Sequence, residues 1–103
     1  MVIYMLVNEK FLNLCINNRI VLELSCKEMA SYLVDVSEKE YIAFEKGKYS
    51  MSENNLRRIC RVLCVKPTSN FKVEDYIEVD GLSEEEYEDL SKVIETIVGD
   101  NNA

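Results

Sequence analysis

The 103-residue chain contains no histidine, one proline and three glycines. Without histidine there is no imidazole to serve as a general base or to complete a zinc site, and so few glycines leave no glycine-rich loop to cradle a phosphate. No nucleophile is paired with a base. An enzyme is therefore not expected, and neither is a cofactor or a metal. The four cysteines, Cys15, Cys26, Cys60 and Cys64, show no C-x-x-C spacing and fit reduced thiols better than a disulfide framework. Cys60 and Cys64 stand four apart, but two thiolates alone are incomplete for zinc, so both read as small buried hydrophobes. Long apolar runs are missing as well. The opening VIYMLV, Val2 to Val7, is only six residues long. That is far short of the roughly 20 apolar residues of a transmembrane helix, and it lacks the basic region and cleavage site of a secretory signal. A cytoplasmic chain with no membrane partner is expected.

Negative charge is abundant but segregated. Residues 1–70 carry ten Lys/Arg against eight Asp/Glu, whereas residues 71–103 carry two against eleven, which accounts for the net charge of −7. The first part can therefore present a locally positive surface, provided the acidic segment lies elsewhere.

With 48% apolar residues the chain can build one modest core. Its organisation centres on Ser25 to Gly47. Ser25 with Glu28 and Ser37 with Glu40 each form an S-x-x-E capping box, so two short helices start twelve residues apart. Met29, Ala30 and Leu33 form an apolar face on the first, Val34-Asp35-Val36 turns, and Tyr41 and Phe44 face inward on the second. Gly47 ends it. Upstream, Asn8 caps a helix of about Glu9 to Glu23 with Phe11, Leu12, Cys15, Ile16, Ile20 and Leu24 on its apolar side. Downstream, Ser52 caps a helix with Leu56, Ile59, Cys60 and Leu63 on one face and Arg57, Arg58 and Arg61 on the other. These arginines read as a solvated face with an acidic partner available in Glu84 to Asp89. A short helical turn is expected around Thr68 to Phe71. Val2 to Val7 reads as a strand, with Val73 to Val79 as its partner, within one chain or between two. Ser83 and Glu86 form a third capping box that opens a final acidic helix. The chain thus divides into an extension over 1–8, a helical domain over 9–71, and a strand plus acidic amphipathic helix over 72–103. The fold class is mainly α.

From Leu12 to Phe71 the chain resembles the lambda repressor/Cro-like (Xre-type) helix-turn-helix domains of phage repressors, bacterial regulators and antitoxins. The resemblance rests on Leu24-Ser25 with Glu28, Met29 and Ala30, on Val36-Ser37, on Glu45-Lys46-Gly47-Lys48, and on Ser52, Leu56, Ile59, Leu63 and Val65. It implies a five-helix domain whose third helix enters the major groove of double-stranded DNA, usually as a dimer. It places Cys26 and Lys27 at the phosphate-facing start of the leading helix, Glu38, Lys39, Glu40, Ile42 and Ala43 toward bases, and Lys46 and Lys48 at phosphates. It also matches Arg19 and Glu45 to a structural ion pair. The sequence departs from the family at Cys26, where glutamine is common, and at Asp35 and Cys64, where glycine is usual. A transcriptional repressor is the reading these residues imply. The alternative is a repressor-like interaction module or antitoxin that binds a protein such as a toxin, with weak or absent DNA binding. The last helix bears on that choice. Its stripe of Tyr87, Leu90, Ile94, Ile97 and Val98 must cover the chain's own core, a second copy as a homodimer interface, or a heterologous partner.

Overall fold

The computed structural model describes residues 4–65 and 72–99. Among these, the fold is mainly α, with a short antiparallel pair of strands. Strand β1 (Tyr4–Met5) leads into α1 (Glu9–Val21), α2 (Cys26–Ser31) and α3 (Glu38–Glu45). Strand β2 (Met51–Ser52) then runs directly into α4 (Glu53–Val62). A 3₁₀ turn (Val73–Asp75) precedes α5 (Glu84–Gly99).

Each helix start follows from side-chain chemistry. The Ser25 and Ser37 hydroxyls accept from the N–H groups of Glu28 and Glu40, whose carboxylates accept back from the Ser25 and Ser37 N–H groups. Ser83 and Glu86 close the third box in the same way before α5. Asn8 and Ser52 cap α1 and α4 through the N–H groups of Phe11 and Asn55. Three helix ends share another device, in which a residue with left-handed backbone lets the next N–H reach back five residues. Glu23, Gly47 and Cys64 take φ of 58°, 73° and 56°, and Leu24, Lys48 and Val65 donate to the carbonyls of Arg19, Ala43 and Cys60. This stops α1 at Val21, two residues before the expected end, and turns Ile20 out to solvent. Asp35, at φ 57°, makes the bend between α2 and α3.

One continuous core joins Phe11, Leu12 and Cys15 of α1 to Met29, Tyr41, Phe44, Leu56 and Ile59, and onward to Val73, Tyr76 and Ile94. The Phe11 and Tyr76 rings meet edge to face at 5.0 Å. Asn8 ties the 3₁₀ segment down, donating from its backbone to Tyr76 O and from its side chain to Glu74 O, both at 2.7 Å.

Several expectations are corrected. The partner of β1 is β2, with Tyr4 opposite Ser52 and Met5 opposite Met51. Of the segment Val73 to Val79, only Ile77 makes a bridge, to Val7, because its first residues coil into the 3₁₀ turn. The expected turn at Thr68 to Phe71 lies outside the described residues. The stripe on α5 covers the chain's own core: Ile94, Ile97 and Val98 are fully buried, Tyr87 and Leu90 half-buried at the edge, and the helix packs on α4 and the 3₁₀ turn. It is not an open dimerisation face. Arg57 pairs with Glu53 of its own helix at 2.9 Å, not with the acidic segment. Cys60 is buried as expected, but Cys64 is exposed because it serves as the end of α4.

Left-handed backbone costs an L-residue about 1–2 kcal/mol, partly offset in glycine by its greater loss of chain entropy. Glu23→Gly and Cys64→Gly should therefore each raise stability in urea unfolding by about 0.5–1 kcal/mol. Gly47→Ala, whose new Cβ would stand 3.4 Å from Leu12 Cδ1, should lower it.

Candidate nucleic-acid interface

Helix α3 is held from beneath. Tyr41 and Phe44 are buried, their rings 5.7 Å apart, and they seat the helix on the core. Glu45, the last residue, accepts two hydrogen bonds from Arg19 of α1: Nε to Oε2 at 2.6 Å and Nη2 to Oε1 at 3.1 Å. The remaining Arg19 nitrogen, Nη1, donates to Leu24 O at 2.9 Å, so one guanidinium joins α1, the approach to α2, and α3. Both side chains are largely enclosed, 17% and 11% exposed. The Glu45 hydrogen bond raises the pKa of Arg19 above its ordinary value. Burial, then the charge of Glu45, raises that of the Tyr41 phenol, which lies near this carboxylate without a hydrogen bond of good geometry. The ion pair implied by the resemblance is thus present.

A second clamp fixes the turn. Asn55, buried at the start of α4, accepts from Val34 N at 2.9 Å and donates to Val34 O at 3.0 Å, pairing with that residue as a neighbouring strand would. This residue was not legible in the sequence, since an asparagine on a polar-looking first turn carries no sign of a partner 21 residues upstream.

The residues implied to face DNA divide into three groups. Lys27, Glu38, Lys39, Lys46 and Lys48 are exposed. Ile42 and Ala43 are half-buried on α3 and can offer only apolar contact. Cys26 and Glu40 have other occupations. The Cys26 thiol, 3.9 Å from Glu45 Oε1, belongs to the Arg19–Glu45 cluster, and burial pushes its pKa up. The Glu40 carboxylate closes the α3 capping box; hydrogen bonds from Ser37, with a further contribution from the Tyr49 phenol, hold its pKa below the ordinary carboxylate value. Of the four carboxylates on α2 and α3, Glu28 and Glu40 cap helices, Glu45 neutralises Arg19, and only Glu38 has no partner among the described residues. Lys39 is exposed beside Glu38 at the start of α3, and Lys46 and Lys48 are exposed at and just beyond its end. The acidic helix α5 packs on α4, leaving those lysines exposed.

Three consecutive apolar residues are exposed as well. Ile20, Val21 and Leu22, at the end of α1, are 59%, 78% and 46% exposed. They follow from the early stop of α1 at Val21, which the helical periodicity did not reveal.

Removing one partner of an enclosed, hydrogen-bonded ion pair leaves the other uncompensated. Arg19→Ala should lower stability by about 3–5 kcal/mol, while the double replacement Arg19→Met with Glu45→Leu should recover most of the loss, as read by thermal unfolding of the single and double variants. No protein-family model, no curated protein and no solved structure matches the chain.

Proposed function

We propose that this protein binds double-stranded DNA as a transcriptional regulator of the phage or bacterial repressor type, with α3 entering the major groove. The observation that carries the reading is the pairing of two capped helices, the second clamped by Arg19 and Asn55, with Lys39 exposed at its start and Lys46 and Lys48 at and just beyond its end. Rigid presentation matters because base contacts discriminate only when the reading helix is held in register by phosphate contacts. Lys39 reads, donating to guanine, and Lys46 and Lys48 hold phosphates; Glu38 can accept from a cytosine amino group. Half-sites about one helical turn apart call for a homodimer. Lys39→Ala should cost about 1–3 kcal/mol at a preferred sequence selected from a random duplex pool. Lys48→Ala should weaken all duplexes alike and lower the slope of log K against log salt by about one. Gel-shift titrations at several salt concentrations check both, and absence of a shift at every salt concentration would remove the reading.

The second reading is a repressor-like module that binds a protein, as an antitoxin does. One observation favours it: three consecutive apolar residues, Ile20, Val21 and Leu22, are exposed. Val21→Lys should leave the thermal midpoint nearly unchanged, whereas Ile97→Lys should unfold the chain. If the patch joins two copies, Val21→Lys should also halve the light-scattering mass.

A further inference from the structure

Beside the α2–α3 turn, the structure contains a concave surface of about 430 Å³ that the DNA reading does not use. One wall is α4, contributing Asn54, Arg57, Arg58 and Arg61; the others are the turn Val34–Val36 and the rings of Tyr4 and Tyr49. Its size falls in the range of roughly 300–1,000 Å³ typical of small-molecule sites. Its chemistry is cationic. Three arginines line it, against Asp35 on the turn, while Glu53 is already engaged by Arg57 Nη2. That engagement leaves a donor over: Arg57 Nε is buried and has no acceptor among the described residues. A buried N–H without an acceptor is uncommon in a folded protein, and a guanidinium fork is built to donate to tetrahedral oxyanions.

We infer that this cleft is a binding site for a phosphate-bearing small molecule, whose oxygens accept from Arg58 and, once the Arg57 side chain turns to expose it, from Arg57 Nε, with Asn54 donating from the same wall. The three arginines follow from α4 itself, since residues at i, i+1 and i+4 lie along one side of a helix. Ile59 and Leu63 hold the opposite side in the core. Asp35 in the wall opposes the positive charge of the arginines and so weakens the hold on any anion. The site does not rest on DNA binding by α3. A duplex backbone offers the same phosphate chemistry, and the test separates the two sources.

The experiment is a titration of the full chain with sodium pyrophosphate at constant ionic strength, followed by ¹H–¹⁵N spectra that include the arginine Nε–H resonances. Saturable shifts are expected at Arg57 Nε–H, Asn54, Arg58 and Tyr49. Arg58→Ala should weaken pyrophosphate by about threefold to tenfold, the worth of one charge-assisted hydrogen bond at a partly exposed site. Asp35→Asn, which keeps a residue tolerant of left-handed backbone, should tighten it. Lys48→Ala should leave it unchanged. With a DNA duplex added, the pyrophosphate shifts should persist. No saturable shift, equal affinity in Arg58→Ala, or displacement of pyrophosphate by the duplex would each overturn the proposal, the last by assigning the arginines to the DNA backbone.

Discussion

The fold depends first on one guanidinium. Arg19 donates in three directions, twice to the Glu45 carboxylate and once to the Leu24 carbonyl. Three segments otherwise joined only by short turns are therefore held by a planar group with little freedom to reorient. Enclosure makes the pair hard to replace by one-sided change, because each ion has lost most of its water and keeps its charge only in the presence of the other. Geometry explains why arginine stands here: the fork spans a carboxylate bidentately and still has a nitrogen left for a backbone carbonyl, which lysine cannot do as a compact ammonium. Leu24 O lies in the reversal that ends α1, so the same bond also holds the left-handed step at Glu23 in place.

The second constraint is the economy of carboxylates. A chain with net charge −7 would ordinarily repel a polyanion at long range. Local arrangement offsets this in two ways. Glu28, Glu40 and Glu45 each accept hydrogen bonds from backbone or arginine donors, so their negative charge is partly offset by the positive helix N-termini or by Arg19. The acidic C-terminal residues are then carried on α5, which is anchored on α4 by Ile94, Ile97 and Val98. At physiological salt the Debye length is about 8 Å. The screened charges of that helix therefore act weakly on any lysine more than one such length away.

Features encoded locally were legible in the sequence. The three capping boxes are four-residue patterns, and each closes as its spacing requires. Gly47 takes the left-handed backbone that a helix-ending glycine implies, and Asp35 and Cys64 take it where the resemblance has glycine, although Cys64 had read as a buried hydrophobe. Burial was legible where periodicity is long, so the α5 stripe could be seen to need a cover, although the sequence left its identity open. Pairings between distant segments were not legible from local pattern, and the Arg19–Glu45 pair came only with the resemblance. A two-residue strand such as β2 carries too little composition to announce itself beside a capping serine, and Val73 to Val79 had the better strand composition while forming a 3₁₀ turn. Asn55 could not be found for the same reason: its partner is a backbone, and backbone groups carry no sequence signal. At the site, Lys39, Lys46 and Lys48 were readable as exposed. The diversion of Glu40 into its cap could have been deduced from the capping box itself, since a carboxylate that accepts from Ser37 has fewer lone pairs left for a base.

The two clamps also bear on how the arginine cleft and the recognition helix relate. Val34 sits in the cleft wall and is held on both its N–H and its carbonyl by Asn55, which lies on α4 beside Arg57 and Arg58. Three residues later Ser37 caps α3. The wall and the start of α3 are thus successive parts of one short turn fixed to one helix, and a displacement of Val34 must either carry α4 with it or break both Asn55 bonds. A ligand shifts a conformational equilibrium only through different affinity for its states. An oxyanion held by Arg57 and Arg58 while Asn55 keeps Val34 in place would favour the present orientation of α3, and Asn55→Ala would separate the two effects. It would leave the arginines and their ligand contacts in place while freeing the turn that connects them to the helix.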